Sequence, residues 1–269
     1  MFPIGIFDSG LGGLSVLREV RRQLPRESVV YLADTANVPY GDKPVSVVCD
    51  LALRLTQALI ARGCKIVVMA SGTSTVAGLE AARALYPPQL ILGTIDVGAE
   101  VALAAASGPI GVLATNATVQ SLAFTHAVRR LAPAYAVTEQ GCPRFVPLVE
   151  EGRSDTPDTL DAAREYLAPL RDAGAQTIIL GCTHFPFLLD ALQKAALTFA
   201  DDSFHPVFVD PAAEVVRQAA GLLAERGLLA PPDASSRLHF SSTGDPASFG
   251  RHASALLGYA LPPVDLLRL

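Results

Sequence analysis

The sequence predicts an α/β fold of two similar domains, each built on a mainly parallel sheet. Short apolar runs alternate with amphipathic helical patterns, and one strand-and-turn pattern occurs twice. The apolar runs are continuous rather than alternating, which suits parallel strands that helices cover on both faces. The predicted buried strands lie at residues 29–32, 66–70, 90–93, 110–114, 177–180 and 206–209.

Helical patterns connect these strands. One helix is predicted at 44–61, where apolar residues such as Val48 and Leu51 recur at helical spacing. Another begins near Ser74 and runs to Leu85, ahead of two consecutive prolines. The alternation of strand and helix is typical of a parallel sheet with crossover helices.

The repeated pattern is a strand that leads into a polar turn, followed later by a strand that ends at a nucleophile position. In the first copy, the 4–10 segment precedes the strand that ends before Ser71. In the second copy, the 110–116 segment precedes the strand that ends before Cys182. Because ligands bind beyond the carboxyl ends of parallel strands, we expect these strand ends to face one site between the two domains.

The composition favours a folded cytosolic protein. Hydrophobic residues make up 50% of the 269 residues and charged residues 17%, which argues against disorder. The net charge of −5 provides no basic surface for nucleic acid. The four cysteines form no CxxC motif, so reduced thiols are expected, and no signal peptide opens the chain. The most apolar stretch, 101–114, contains Gly108-Pro109 and is too short to span a membrane.

Cys182 is the side chain that suggests catalysis most directly. A lone cysteine is more often a small buried hydrophobic residue, but this one stands between a strand and a turn, beside Thr183 and His184. A neighbouring imidazole either favours a thiolate or helps to hold a substrate. Ser71 offers only a hydroxyl at the corresponding position. The five histidines do not cluster with the cysteines, so no metal site is predicted.

The other polar segments each allow a structural and a functional interpretation. The Asp8-Ser9-Gly10 turn either caps the helix that follows or brings backbone N–H groups close to an anion. Thr73 and Thr183 either cap helices or bind a ligand carboxylate, and two such sites would suit a dicarboxylate or an amino acid. Glu150 either lies in a solvated loop or is a carboxylate that tunes His184 or a thiol.

Six segments together resemble the glutamate racemase family, whose members need no cofactor and supply D-glutamate to bacterial peptidoglycan. The segments are FDSGLGGLSVL within 6–17, YLADTANVPYG at 31–41, GVLATNAT at 111–118, FVPLVEEG at 145–152, LGCTHFP at 180–186 and STGDPASF at 242–249. They run almost from end to end of the chain. Each segment alone would be weak evidence, but several together are highly specific.

The resemblance implies one domain at 1–95 plus 210–269, a second at 96–209, and a site between them. In this family two cysteines flank the substrate Cα, and one removes a proton while the other returns one. Cys182 matches the second of these cysteines, and Asp8, Glu150 and His184 match residues that assist catalysis. The substrate-contacting positions carried over by motif are Asp8, Ser9, Pro39, Tyr40, Gly41, Gly72, Thr73, Thr118, Thr183 and His184. The resemblance also implies a cytoplasmic enzyme that binds glutamate and forms a homodimer.

The sequence departs from the family at the first catalytic cysteine. The family pattern there is Ala-Cys-Asn-Thr, and this chain has Ala70-Ser71-Gly72-Thr73. A serine hydroxyl is scarcely ionised at neutral pH, so loss of the thiol is expected to cost ~10²–10⁴-fold in rate or more. Three explanations stay open: an engineered substitution, a natural one with residual activity, and a catalytically silent relative that binds an amino acid or a partner. A racemase of another substrate, such as aspartate or a hydantoin, is the alternative activity.

Overall fold

The computed structural model describes residues 2–199 and 204–269 of the chain. The strands are β1 (Ile4–Asp8), β2 (Val29–Ala33), β3 (Ile66–Met69), β4 (Leu90–Leu92), β5 (Ile110–Ala114), β6 (Val137–Gly141), β7 (Thr177–Leu180), β8 (Val207–Val209), β9 (Leu238–Ser242) and β10 (Val264–Leu266). The α-helices are α1 (Leu14–Gln23), α2 (Val45–Ala61), α3 (Gly72–Leu85), α4 (Ile95–Ala105), α5 (Asn116–Gln120), α6 (Ala123–Leu131), α7 (Phe145–Glu150), α8 (Pro157–Asp172), α9 (Leu189–Ala196), α10 (Ala212–Glu225) and α11 (Pro246–Leu257). Short 3₁₀ turns lie at Thr35–Asn37, Tyr40–Asp42 and Phe185–Leu188.

The strands form two parallel sheets, as predicted. The first has the order β10-β9-β2-β1-β3-β4, and the second has the order β6-β5-β7-β8. Every strand pair in both sheets is parallel. The segment β2-β1-β3-β4 has the same topology as β6-β5-β7-β8, so β1 corresponds to β5 and β3 to β7. The repeat predicted from the sequence is therefore visible in the strand order, and the domain boundaries at 95/96 and 209/210 stay predictions.

Helices cover both faces of each sheet, which explains the continuous apolar runs. Along β1, Ile4 and Ile6 pack with α1 and α10, whereas Phe7 points to the other face and packs with α2. In the second sheet, Ile178 packs with α8, and Ile179 belongs to the core on the α4 and α6 side. Full burial of such a side chain contributes about 1.5–3 kcal/mol. These two-sided cores hold the strand ends in fixed positions.

The sequence did not reveal β6, β9 or β10. Strand β6 has the sequence VTEQG, and all five residues are only half-buried because the strand lies at the edge of its sheet. An edge strand does not need an apolar run on both faces, and β10 is likewise a short edge strand. Among the described residues, the structure contains no helix of the length and apolarity that a membrane crossing requires.

One predicted helix start needs correction. Helix α3 begins at Gly72, not near Ser74, because the Ser71 hydroxyl accepts a hydrogen bond from the Ser74 N–H at 3.3 Å. Ser71 is therefore the N-cap residue of α3.

Candidate active site

The carboxyl ends of β1, β3, β5 and β7 carry the polar side chains that the sequence singled out. The glycine-rich turn after β1 packs directly against the segment that follows β7. A Cβ at Gly12 would overlap the side chains of Thr183 and His184, and one at Gly10 would overlap the Glu150 carboxylate. Glycine at these positions lets the first sheet's turn approach the second sheet's loop closely.

A line of hydrogen bonds connects Cys182 with Glu150. The Cys182 Sγ lies 3.7 Å from the His184 Nδ1, and the His184 Nε2 lies 2.7 Å from the Glu150 Oε1. The same Oε1 accepts a hydrogen bond from the Leu11 N–H at 2.6 Å, which ties the line to the turn after β1. Helix α7 ends at Glu150, so this residue does not lie in the solvated loop that the sequence left open. An imidazole in contact with a thiol and a carboxylate provides a route for moving a proton to or from Sγ.

Buried His184 forms an ion pair with half-buried Glu150. Burial by itself would raise the pKa of Glu150, but the hydrogen bond and charge of His184 outweigh it and lower that pKa. Burial likewise disfavours protonated His184, but the hydrogen bonds that it donates to Cys182 and Glu150, together with the charges of those groups, raise its pKa well above its ordinary value. A nearby His252 contributes to lowering the Glu150 pKa. The pair is therefore charged near neutral pH.

Asp8, at the end of β1, joins the two sheets through Thr183. One carboxylate oxygen accepts the Gly10 N–H at 3.1 Å, and the other accepts the Thr183 hydroxyl at 3.0 Å. Burial raises the pKa of Asp8 from its ordinary value, although the His184 charge and these two hydrogen bonds oppose the shift. Asp8 is thus a fully buried carboxyl group that is held by both domains' strand ends.

Ser71 lies at the end of β3, at the place that Cys182 takes at the end of β7. Its hydroxyl caps α3, as described above, and Thr73 reaches across to the second sheet. The Thr73 and Thr115 hydroxyls lie 3.0 Å apart, and Thr115 in turn lies 3.1 Å from the Thr118 hydroxyl. A Cβ at Gly72 would come within 2.8 Å of the Gly181 carbonyl oxygen. Gly72 therefore lets the segment before Cys182 lie directly on the first turn of α3.

The match to known proteins agrees with this arrangement. The sequence model of the Asp/Glu/hydantoin racemase family matches residues 4–219. The chain belongs to this family. Among individual racemases, that of Roseiflexus sp. (strain RS-1), a glutamate racemase, is 41% identical over 248 residues, which cover 92% of this chain and 89% of the relative.

Solved racemases share the whole fold. The glutamate racemase isoform RacE1 from Bacillus anthracis has a TM-score of 0.91 at 31% identity, over 100% of this chain and 98% of that one. The glutamate racemase from Francisella tularensis, in complex with D-glutamate, has a TM-score of 0.90 at 26% identity, over 99% of this chain and 97% of that one. The two-sheet architecture is therefore that of the racemase family.

Several residues that the racemase resemblance suggested lie beside these groups. Tyr40 donates its hydroxyl to Asp34 at 2.6 Å, and burial together with the Asp34 charge raises the Tyr40 pKa. Pro39 follows a cis peptide bond, and Gly41 packs against Thr115. Ser9 is buried in the turn after β1, 5% exposed. The Tyr40 hydroxyl is thus engaged by a carboxylate of its own domain.

Three groups of the site were missed by the sequence analysis. They are the Leu11 N–H, the Asp34 carboxylate and the Thr115 hydroxyl. Asp34 and Thr115 lie inside segments that matched the racemase family, so their position in those segments was an available signal. The Leu11 N–H is a backbone group, and no side-chain pattern distinguishes it.

Proposed function

We propose that this chain is a glutamate racemase that interconverts L- and D-glutamate without a cofactor. The observation that carries the proposal is the pair of corresponding strand ends, β3 with Ser71 and β7 with Cys182, contributed by the two sheets. Relatives that are named glutamate racemases, and a solved one that binds D-glutamate, support glutamate as the substrate.

In the proposed reaction, Cys182 and Ser71 act on opposite faces of the substrate Cα. The Cys182 thiolate takes the α-proton of L-glutamate, so that an S–H bond forms as the Cα–H bond breaks. The Ser71 hydroxyl then gives its proton to the other face of Cα, which yields D-glutamate and a serine alkoxide. That alkoxide is strongly basic, so the second transfer is slow in this chain. His184 and Glu150 assist Cys182, and Asp8 assists position 71.

The same proposal assigns the substrate-binding residues, the domain boundaries, the oligomeric state and the cellular location. The groups that hold the substrate are Asp8, Ser9, Pro39, Tyr40, Gly41, Gly72, Thr73, Thr118, Thr183 and His184. We further propose domain boundaries at 95/96 and 209/210, a homodimer, and a cytoplasmic enzyme that supplies D-glutamate for peptidoglycan.

Deuterium exchange at Cα tests the proposal, with each glutamate enantiomer incubated separately in D₂O. We expect the unaltered chain to exchange L-glutamate much faster than D-glutamate, because Cys182 serves the L face. Ser71→Cys should add exchange of D-glutamate and raise racemisation ~10²-fold or more. Exchange of neither enantiomer, even by Ser71→Cys, would contradict the proposal. Glutamate binding without exchange in both proteins would identify a silent binding protein instead.

A further inference from the structure

A pocket of about 250 Å³ opens beside Glu150, outside the contacts described so far. Its walls come from both sheets' domains: Glu150 ends α7, whereas Leu11 follows β1 and His252 belongs to α11. The pocket is large enough for several water molecules, since each takes about 30 Å³ of liquid volume. Glu150 therefore borders this pocket as well as hydrogen-bonding to buried His184.

Exposure differs sharply among the titratable groups of the site. Cys182 is 8% exposed, His184 is 1% exposed and Asp8 is 0% exposed. The Glu150 side chain is 18% exposed and lines the pocket, and His252 in the pocket wall is exposed. Exposure therefore increases from His184 through Glu150 to His252, in the direction of the pocket.

We propose that this pocket is the port through which Cys182 exchanges protons with solvent, and that His252 is the shuttle at its mouth. Because the resting pair is charged, the exchange runs through the state in which His184 carries a single proton, on Nε2. In that state the Cys182 S–H passes its proton to the His184 Nδ1 as the Nε2–H passes one to Glu150. Glu150 passes a proton to a pocket water, which passes one to His252 and so to solvent. The net change is one proton lost by Cys182, and the imidazole of His184 remains neutral in its other tautomer. The return path restores the thiol.

The second carboxylate of the pocket is poorly placed for this role. Asp245 is the N-cap residue of α11, and its Oδ1 accepts the Ala247 N–H at 2.9 Å. The exposed imidazole of His252 has no such bond among the described residues, so both of its ring nitrogens are open to water in the pocket. The inference rests on the proposed function, because solvent exchange at Cα requires that the proton taken by Cys182 leave while the substrate covers the site.

The test is the rate of deuterium incorporation into L-glutamate by the full chain, in a dilute buffer too bulky to enter the pocket. We expect His252→Ala to lower this rate about 10-fold and added imidazole to restore it, because a small mobile base replaces the missing shuttle. Glu150→Gln should also lower the rate, and imidazole should not restore it, since the break then lies in the buried part of the route.

His239→Ala is the matched control, because His239 is an exposed histidine that does not line the pocket. Its exchange rate should equal that of the unaltered chain, with or without imidazole. If the rate of deuterium incorporation by His252→Ala is unchanged, or is lowered and not restored by imidazole, the proposed route through the pocket is wrong. If neither the unaltered chain nor Ser71→Cys exchanges L-glutamate, the proposed function fails and the port fails with it.

Discussion

The ends of β3 and β7 occupy equivalent places in two sheets of the same topology, yet they carry different chemical groups. Two residues after each strand lies a nucleophile position, Ser71 in one sheet and Cys182 in the other. A threonine near each position hydrogen-bonds to the other sheet's strand end: Thr73 to Thr115, which follows β5, and Thr183 to Asp8, which ends β1. The backbone frame is thus repeated, and so is the hydrogen bond between sheets.

The two strand ends differ in the charged groups that surround the nucleophile position. Cys182 contacts an imidazole that is paired with a carboxylate, whereas the Ser71 hydroxyl accepts a backbone N–H and caps a helix. The end of β7 thus places a thiol beside an ion pair, whereas the end of β3 places a hydroxyl on the first turn of a helix. The comparison teaches that the fold supplies two equivalent positions but that the side chains decide which of them carries chemistry.

The largest effect on the exchange rate is expected from replacing the Cys182 thiol. Cys182→Ser should lower L-glutamate exchange ~10²–10⁴-fold, because a hydroxyl is a far weaker base at neutral pH. Combining it with Ser71→Cys should move exchange to D-glutamate but at a lower rate, since His184 lies beside position 182. Exchange with each enantiomer in D₂O measures both changes. Cys49→Ser, at a half-exposed thiol of α2, is the control and should change neither rate. The unaltered chain has its thiol at the end of β7, and the double variant has its thiol at the end of β3. Equal exchange rates, L-glutamate by the first and D-glutamate by the second, would contradict the difference between the two strand ends.

The Glu150–His184 ion pair should account for most of the difference in stabilising energy between the end of β7 and the end of β3. Glu150→Gln leaves protonated His184 buried without its partner and should cost about 3 kcal/mol near pH 5.5, measured by urea unfolding. Glu150 has a pKa below its ordinary 4.5, so its contribution is present above that pH and is lost as pH falls. His184 has a pKa above its ordinary 6.5, so its contribution is present below that pH and is lost as pH rises.

The free energy of unfolding attributable to the pair is therefore greatest between about pH 4.5 and 6.5. The difference between the unaltered chain and Glu150→Gln should shrink on both sides of that window. Glu165→Gln, at an exposed carboxylate paired with Arg144, should leave the profile unchanged. A difference that does not vary with pH would show that the pair is neutral.

The hydrogen bonds of Thr183 with Asp8 and of Thr73 with Thr115 are a more closely matched pair, because each connects the two sheets through a threonine hydroxyl. Thr183→Val should cost about 2 kcal/mol, because its hydroxyl donates to a carboxyl group, and Thr73→Val about 1 kcal/mol, because its partner is a hydroxyl. Both substitutions nearly keep the side-chain shape, so urea unfolding compares the bonds directly. Equal costs would mean that the Asp8 charge adds nothing to the contact between the sheets.

The smallest effect is expected at the helix cap. Ser71→Ala should cost about 1 kcal/mol of unfolding free energy, because the Ser74 N–H loses its acceptor. Thr156→Ala removes a comparable cap, the acceptor of the Thr159 N–H at the start of α8, and should cost a similar amount. Stabilisation by Ser71→Ala would contradict the assignment of Ser71 as a cap.

The sequence by itself determined most of the buried strands, with interior strand β9 as the exception, their parallel pairing and the two nucleophile positions. Two-sided burial forces continuous apolar runs, and the strand ends then follow from where those runs stop. It did not reveal edge strands such as β6 and β10, since a half-buried edge needs no such run.

Only the tertiary structure decided which polar groups meet. Thr183 and Asp8 are 175 positions apart in the chain, and Glu150 reaches both His184 and the Leu11 N–H across the two sheets. The ion pair, the helix cap at Ser71 and the pocket beside His252 depend on distances of a few ångströms between remote segments. Such distances are set by how the two sheets pack against each other, and no local pattern along the chain records that packing.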